Sequence, residues 1–199
     1  MIEIIDISID KPYQIFKNYY DHAMRAKQKS IEAIAISSFS SNSNEVESRF
    51  VNLKYIIDNE WTFFSNYKSQ KAEDFNDHNQ ISSLFYWRKL NLQIRLKSKI
   101  YKSSRTFSDN HFKKRSIEKN ALAISSSQSK ITASYNDVED SFNKTLSKIN
   151  NQVERPNYWG GFTFIPYYFE FWEGHENRLN KRHVFEQHDG EWLERFLQP

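Results

Sequence analysis

The sequence predicts a mainly β fold of the α+β class, in which an antiparallel sheet or barrel carries helices on its outside. Strand-like segments outnumber helix-like ones, and they do not alternate regularly with helices as they would in a parallel sheet. Aromatic residues make up 16% of the chain, so much of the core must consist of Phe, Tyr and Trp, which favour strands. A length of 199 residues favours one domain, 1–199, over two.

The first half of the chain is predicted to hold one helix and most of the barrel strands. Within 1–30, apolar residues recur at helical spacing from Asp10 to Lys27, and Asp10 is placed to cap that helix. Within 31–104, Glu32 to Ser38 is predicted to be a buried strand followed by a hairpin loop rich in Ser and Asn. Arg49 to Tyr55 and Trp61 to Asn66 are predicted to pair as a β-hairpin.

Three further elements are predicted before residue 104. Ser69 to Phe75 has the pattern of a short helix that follows a strand directly, and Ile81 to Tyr86 is predicted to be a further strand. From Leu92 to Ile100, apolar and polar residues alternate, which indicates a strand with one core face and one polar face.

The second half is predicted to hold a helical segment, 105–152, followed by strands in 153–199. Thr106 to Arg115 is predicted to be helical. Ser134 to Ile149 is predicted to be helical because an apolar stripe follows Ser134 and Asp137, which resemble a capping box. Turns are predicted at Gly160-Gly161, at Gly174 and at Asp189-Gly190.

The composition excludes several classes of function. A formal net charge of +3 is too small to favour a nucleic-acid surface. The absence of cysteine excludes disulfides and thiolate chemistry, and it fits a reducing cytoplasm. The N-terminus lacks the order of a signal peptide, and Pro166 and Glu170 interrupt the longest aromatic run, so we expect a soluble, cytoplasmic protein with no membrane partner. The four glycines form no phosphate-binding loop, and the six scattered histidines predict no metal site.

An anion site is predicted where a strand ending in Ser65 leads into a helix with Lys71 in its first turn. The free amide groups and the positive end of a helix dipole would there lie beside an ammonium group.

Several motifs along the chain resemble those of the pyridoxamine 5'-phosphate oxidase family. The most individual is C-terminal, with Tyr158 to Phe162 (YWGGF), Phe169 to Gly174 (FEFWEG), Asn177 to Leu179 (NRL) and Arg182. Upstream matches are Ser48 to Lys54, Phe63 to Lys71, Leu84 to Gln93 and Ser127 to Ser129. The matches cover nearly the whole chain in the family's order.

The resemblance implies a homodimer with the FMN-binding split β-barrel fold and FMN in a cleft between the subunits. Arg49 and Lys71 match the positions that hold the FMN phosphate, and Gln70 stands where the family has a further arginine. The other positions that match cofactor-binding residues are Phe50, Val51, Asn52, Leu53, Lys54, Phe64, Ser65, Gln93, Gln128, Ser129, Trp172 and Arg182, some of them from the partner chain.

The resemblance also implies a reaction, the oxidation of pyridoxamine or pyridoxine 5'-phosphate by molecular oxygen. Arg178 and Asn180 match the catalytic positions, and the substrate-binding positions are Lys54, His111, Arg115, Lys119, Arg178 and Asn180. Three of these depart from the family, since His111 replaces a tyrosine, Lys119 a serine and Asn180 a histidine. An asparagine cannot take up a proton near neutral pH, so flavin binding is expected to be intact and substrate handling modified.

Three functions are compatible with these departures. The first is a B6-phosphate oxidase with an altered substrate site, which Lys54, Arg115 and Arg178 favour. The second is a flavin oxidase of another reduced ring compound, as in the related phenazine-pathway oxidases. The third is a non-catalytic binder of FMN or pyridoxal phosphate.

Overall fold

The computed structural model describes residues 1–150 and 153–199, so the end of the predicted helical segment at 151–152 lies outside the described residues. The strands are β1 (Glu3–Ile5), β2 (Ala33–Ser40), β3 (Glu45–Asn52), β4 (Tyr55–Ile57), β5 (Glu60–Asn66), β6 (Gln80–Trp87), β7 (Leu92–Lys102), β8 (Trp159–Glu173), β9 (Lys181–His188) and β10 (Glu191–Leu197). The helices are α1 (Lys11–Arg25), α2 (Gln70–Asp77), α3 (Arg105–Lys113), α4 (Ile117–Ser125) and α5 (Tyr135–Leu146).

The strands form one sheet whose main path runs β1-β4-β5-β8-β7-β6-β2-β3, with β9 on β8 and β10 on β9. All of these pairs are antiparallel except β1 with β4. The predicted mainly β fold with peripheral helices is thereby confirmed.

The core is aromatic, as the composition predicts. Helix α1 lays Tyr13, Phe16 and Tyr20 on the sheet, and Phe16 contacts Trp61 and Trp87 with ring centroids 4.4 and 5.7 Å apart. The predicted alternation on β7 is confirmed, since its apolar side chains are buried while its basic ones lie on the other face.

Two predictions about the strands are wrong in detail, and one strand was missed. Arg49 to Tyr55 is not one strand, because the chain leaves β3 after Asn52 and pairs with β5 only through β4. Gly160 and Gly161 form no turn but lie inside β8, where a Cβ on Gly160 would come within 2.7 Å of the Tyr67 ring. The short strand β1 was not predicted, because three residues are too few for a periodic pattern.

The helices also differ in detail from the sequence prediction. Asp10 precedes α1 but makes no side-chain capping bond, and its carboxylate accepts a hydrogen bond from Trp192 at 3.0 Å instead. The capping box of Ser134 and Asp137 is confirmed. The apolar stripe of α5 is only half-buried, because that helix packs mainly on α4.

No helix within the described residues is long and apolar enough to cross a bilayer. The same residues contain no group of His, Cys, Asp and Glu arranged to hold a metal ion.

Candidate functional site

A cavity of about 480 Å³ lies where β3, β5 and the start of α2 meet the segment from α3 to α4. Its lining residues are Phe50, Val51, Asn52, Lys54, Phe64, Ser65, Lys71, His111, Lys114, Arg115, Ser116, Lys119 and Gln128. Eleven of these thirteen residues were predicted from the sequence, and among them there is no Asp or Glu. The cavity is therefore strongly cationic.

One end of the cavity adjoins a cradle built around Arg49 and Lys71; Lys71 lines the cavity, whereas Arg49 is not among its lining residues. Arg49 on β3 donates a hydrogen bond to the Ser38 hydroxyl at 2.6 Å and lies 3.6 Å from the carboxylate of Asp74. Asp74, on α2, is only 1% exposed and also accepts hydrogen bonds from Ser38 and Gln70. A carboxylate this deeply buried holds its donors in place, because moving any of them would leave one of its buried acceptor sites without a hydrogen bond.

Lys71 is the second cation of the cradle, and it is poorly compensated. Its side chain is only 7% exposed, and its ammonium group donates to the Ser69 hydroxyl at 3.1 Å. Burial first, and then the charge of Arg49, lower the pKa of Lys71 to about 8, while Asp74 opposes that shift. A buried ammonium with one neutral acceptor is suited to receive an anion.

The other end of the cavity is formed by Lys54, Lys114, Arg115 and Lys119. The guanidinium of Arg115 lies over the ring of Trp159 at 4.2 Å and donates to the Lys119 carbonyl at 2.6 Å. Its Nε is buried without a hydrogen-bond partner, and burial lowers the pKa of Arg115 to about 10. A buried donor atom without a partner, on a half-buried cation, marks a place where an acceptor belongs.

A flat aromatic wall joins the two ends. The rings of Phe64 and His111 stack with centroids 3.6 Å apart and 11° between their planes, and Trp159 lies nearly parallel to Phe64 at 5.4 Å. The Tyr55 hydroxyl lies 2.9 Å from Nδ1 of His111 and holds the imidazole in this orientation. Phe64 and His111 both line the cavity, so this stack forms its aromatic wall.

Hydrogen-bonding groups border this wall. The Gln128 amide oxygen accepts from the Ser65 hydroxyl at 3.0 Å and from the Asn66 backbone amide at 3.2 Å. The remaining predicted residues of this region lie away from the cavity. Leu53 is fully buried in the core, Gln70 is exposed and bonded to Asp74, and Ser129 lies in a separate depression beside α5.

Three predicted cofactor residues form a second cluster on neighbouring strands. Gln93 on β7 is opposite Trp172 on β8, which is opposite Arg182 on β9, so the three side chains share one face of the sheet. The Nε of Arg182 donates a hydrogen bond to the Glu170 carboxylate at 2.8 Å. Glu170 is 2% exposed and also forms an ion pair with Arg95. Within the described residues, no hydrogen bond or ring contact joins this cluster to the cavity.

The two predicted catalytic residues lie in the loop between β8 and β9. Arg178 is exposed and has a backbone φ of 60°, and its side chain has no partner among the described residues. The Asn180 amide oxygen accepts from the backbone amide of His175 at 3.0 Å. Neither residue reaches the cavity of its own chain, so one copy of the chain carries two separate groups of predicted site residues.

Sequence reasoning missed the residues that support the site from behind. Asp74, Ser38 and Glu170 orient the arginines, and Tyr55 orients His111. No periodicity singles them out, since each is joined to its partner only by the fold. Lys114, which lines the cavity, was also missed. Its position directly before the predicted Arg115 in the sequence could have identified it.

The fold matches two solved structures over nearly their whole length. PhzG from Burkholderia lata 383, solved in complex with tetrahydrophenazine-1-carboxylic acid, has a TM-score of 0.88 and 23% identity, covering 94% of this chain and 92% of that one. A Nostoc punctiforme protein described as pyridoxamine 5'-phosphate oxidase-related and FMN-binding has a TM-score of 0.75 and 13% identity, covering 96% and 99%. The fold is therefore the split β-barrel of the proteins related to pyridoxamine 5'-phosphate oxidase.

Sequence comparison narrows this class further. Residues 159–199 match the model of the pyridoxine 5'-phosphate oxidase C-terminal dimerisation region. The pyridoxine/pyridoxamine 5'-phosphate oxidase of Leptospira biflexa serovar Patoc is 31% identical over 190 residues, covering 94% of this chain and 89% of the relative. That of Herminiimonas arsenicoxydans is 30% identical over 189 residues, with the same coverage. The chain belongs to the pyridoxine/pyridoxamine 5'-phosphate oxidase family, whose members are named as oxidases.

Proposed function

We propose that the protein uses FMN to oxidise pyridoxamine or pyridoxine 5'-phosphate to pyridoxal 5'-phosphate, with oxygen as the electron acceptor. The observation that carries this proposal is one cavity with a cationic group at each end and a flat aromatic wall between them. Such a cavity suits two planar molecules that each carry a phosphate, namely the cofactor and the substrate. The products would be pyridoxal 5'-phosphate and hydrogen peroxide; with the amine substrate, water is also consumed and ammonia is released.

The residues present fit FMN. Arg49 and Lys71 would hold its phosphate. The phosphate would give a charged partner to the buried ammonium of Lys71, whose acceptor among the described residues is the Ser69 hydroxyl. Phe64, Ser65 and Gln128 would border its ring with an aromatic face and hydrogen-bonding groups. When bound, FMN supplies the electron acceptor for oxidation at C4' of the substrate and the route of those electrons to oxygen.

The protein's own contribution is to bind and orient the substrate. Lys54, Arg115 and Lys119 would hold the substrate phosphate, and the unpaired Nε of Arg115 gives that phosphate a buried donor. The phosphate would be fixed at one end of the cavity and the ring beside the wall, so the orientation of the reacting carbon would be restricted. Restricting that orientation is how positioning accelerates a reaction.

We further propose that the working unit is a homodimer in which each site combines residues of both copies. Among the described residues, Gln93, Trp172 and Arg182 are not part of the cavity lining of their own chain, and the C-terminal strands match a region described as a dimerisation region. Arg178, exposed in the loop before β9, and Asn180 would come from the second copy together with this cluster.

The direct test is flavin reduction without air. We expect the protein to bind FMN and turn yellow, to lose its visible flavin absorbance when pyridoxamine or pyridoxine 5'-phosphate is added anaerobically, and to form hydrogen peroxide when air returns. Protein that stays colourless after soaking in excess FMN would refute the proposed cofactor. Binding of the B6 phosphates to yellow protein without any reduction would indicate a non-catalytic binder instead.

The cofactor cradle has its own test in a double variant. Arg49→Ala with Lys71→Ala should lose FMN on gel filtration, because both proposed phosphate ligands are gone. Lys144→Ala with Lys148→Ala is the matched control, since it removes two positive charges from exposed side chains at the end of α5. Equal FMN retention in the two double variants would contradict the proposed cradle.

A second candidate substrate, a larger reduced ring acid, is favoured by an adjoining cavity of about 250 Å³. It shares Arg115 and Lys119 with the first cavity and adds the apolar side chains of Leu122, Ala123 and Trp159. If a larger ring extends there, Leu122→Trp should slow oxidation of a reduced phenazine carboxylic acid and leave the B6 phosphates unaffected. Absence of any oxygen uptake with such an acid would exclude this candidate.

A further inference from the structure

His111 is held on two sides inside the cavity. Its ring stacks on Phe64 at 3.6 Å, with Trp159 nearly parallel to it at 6.2 Å, and its Nδ1 is bonded to the Tyr55 hydroxyl at 2.9 Å. Nε2 has no hydrogen-bond partner among the described residues. The imidazole is thus fixed in place with one nitrogen left for a ligand.

Among the described residues, every charged group that acts on this imidazole is positive. The cations come from three places: Lys54 before β4, Lys114 and Arg115 after α3, and Lys119 on α4. The strands β5 and β8 present only the uncharged rings of Phe64 and Trp159.

The remaining titratable neighbour is Tyr55 on β4. Burial and the charge of Glu3 raise the pKa of Tyr55, so this group stays a neutral phenol. Burial first, and then the four surrounding cations, lower the pKa of His111 to about 4. The imidazole is therefore uncharged in the ligand-free protein at neutral pH.

An anion bound at this end reverses the electrostatics. A doubly charged group among the cations cancels their repulsion of a ring proton and places negative charge near Nε2, and both changes favour the imidazolium form. Below neutral pH, the protonated ring then adds one more charged donor for the anion.

We propose that His111 is a specificity-determining residue for the doubly charged group of the substrate, because its imidazole takes up a proton when a dianion binds among Lys54, Arg115 and Lys119. This inference rests on the proposed function, since it assigns that end of the cavity to the anionic group of the substrate. The tyrosine that the family has at this position cannot take up such a proton, so the coupling is specific to a chain with histidine here.

Proton uptake makes affinity depend on pH in a defined direction. Binding and protonation favour each other reciprocally, so the dianion binds more tightly as pH falls. If the anion restores the ordinary pKa of histidine, about 6.5, the affinity rises about tenfold between roughly pH 7.5 and 5.5. The substrate site thus favours dianions most strongly under mildly acidic conditions.

The test uses sulfate and the FMN-loaded protein. Sulfate stays a dianion throughout this range, whereas a phosphate monoester itself titrates near pH 6, and bound FMN occupies the other cationic end. Titration calorimetry at pH 6 in two buffers of different ionisation enthalpy counts the protons taken up per sulfate. The variants are His111→Asn and, in case the smaller side chain disturbs the stack, His111→Tyr; the matched control is His22→Asn, at an exposed position on α1.

We expect wild-type protein and His22→Asn to take up about half a proton or more per sulfate and to bind about tenfold more tightly at the lower pH. Both His111 variants should bind sulfate without proton uptake and with little dependence on pH. Sulfate binding to wild-type protein without proton uptake, or uptake that persists in the His111 variants, overturns this inference and leaves the proposed function intact. Failure of sulfate to bind at either pH also overturns this inference, whereas the proposed function is decided separately by the anaerobic flavin reduction.

Discussion

Replacing Lys71 with methionine should stabilise the flavin-free protein while weakening its hold on FMN. The residue is 7% exposed, and among the described residues its ammonium group has one hydrogen bond, to a neutral hydroxyl. In the absence of a phosphate, burial of that charge is an unfavourable contribution to folding. Methionine has a similar length and an apolar side chain, so it removes the charge and keeps the packing.

The magnitude follows from the pKa. Burial lowers the pKa of Lys71 from 10.5 to about 8. One pKa unit corresponds to about 1.4 kcal/mol, so the charged lysine costs the folded state about 3 kcal/mol. Because the folded pKa lies below the unfolded one, this cost is fully present below pH 8 and disappears as pH rises towards 10.5.

Urea unfolding of flavin-free wild-type protein and Lys71→Met, at matched protein concentration, measures this difference. We expect Lys71→Met to be more stable by about 3 kcal/mol at neutral pH and by about 1 kcal/mol near pH 9.5. Its affinity for FMN should fall between about tenfold and a hundredfold, as for the loss of one charged hydrogen bond. The exposed Lys144→Met is the control and should change neither quantity. A Lys71→Met protein less stable than wild type at neutral pH, or a difference that does not change with pH, would refute the reasoning.

Three further predictions concern the sheet and the loop. Gly161→Ala should destabilise the protein by about 1–3 kcal/mol in thermal unfolding, because its Cβ would lie 2.8 Å from the Cβ of a serine before α3; an unchanged melting temperature would contradict this. Glu170→Gln should lower the free energy of unfolding by about 3 kcal/mol, because the charged partner of Arg182, a residue that is 2% exposed, is lost. A decrease below about 1 kcal/mol in urea unfolding would show that solvent screens this ion pair. Asn180→His combined with Lys119→Ser restores the family's residues and should raise the rate of oxygen uptake with pyridoxamine 5'-phosphate; an unchanged or lower rate would count against an altered B6-phosphate site.

Local patterns predicted the elements that depend on neighbouring residues in the chain. The alternation on β7 follows from one buried and one polar face, and the capping box at Ser134 satisfies amides within a single turn. Gly160 and Gly161 show the limit of such reasoning. A glycine pair usually marks a turn, but here Tyr67 and Ser103, distant in sequence, approach the backbone of β8 so closely that side chains are excluded.

In the candidate site, too, some residues were predicted from the sequence and others depend on contacts that only the fold creates. The residues that line the cavity were predicted because the resemblance supplies them position by position, and eleven of them do meet in one place. The residues that orient them were not predicted, because a carboxylate in a helix, such as Asp74, usually faces solvent. Only the packing of α2 against β2 brings that carboxylate to Ser38 and to Arg49 on the neighbouring β3.

Two departures from the family shift positive charge from one end of the cavity to the other. Near the proposed FMN phosphate end, Gln70 stands where the family has an arginine but lies outside the cavity, bonded to Asp74, and Asp74 offsets part of the charge of Arg49 and Lys71. At the substrate end, Lys119 adds a cation, and no carboxylate lines the cavity. A small free dianion should therefore prefer the substrate end. A bound FMN would then be oriented by contacts of its ring with the wall around Phe64 as well as by Arg49 and Lys71, so changes in that wall should also weaken FMN binding.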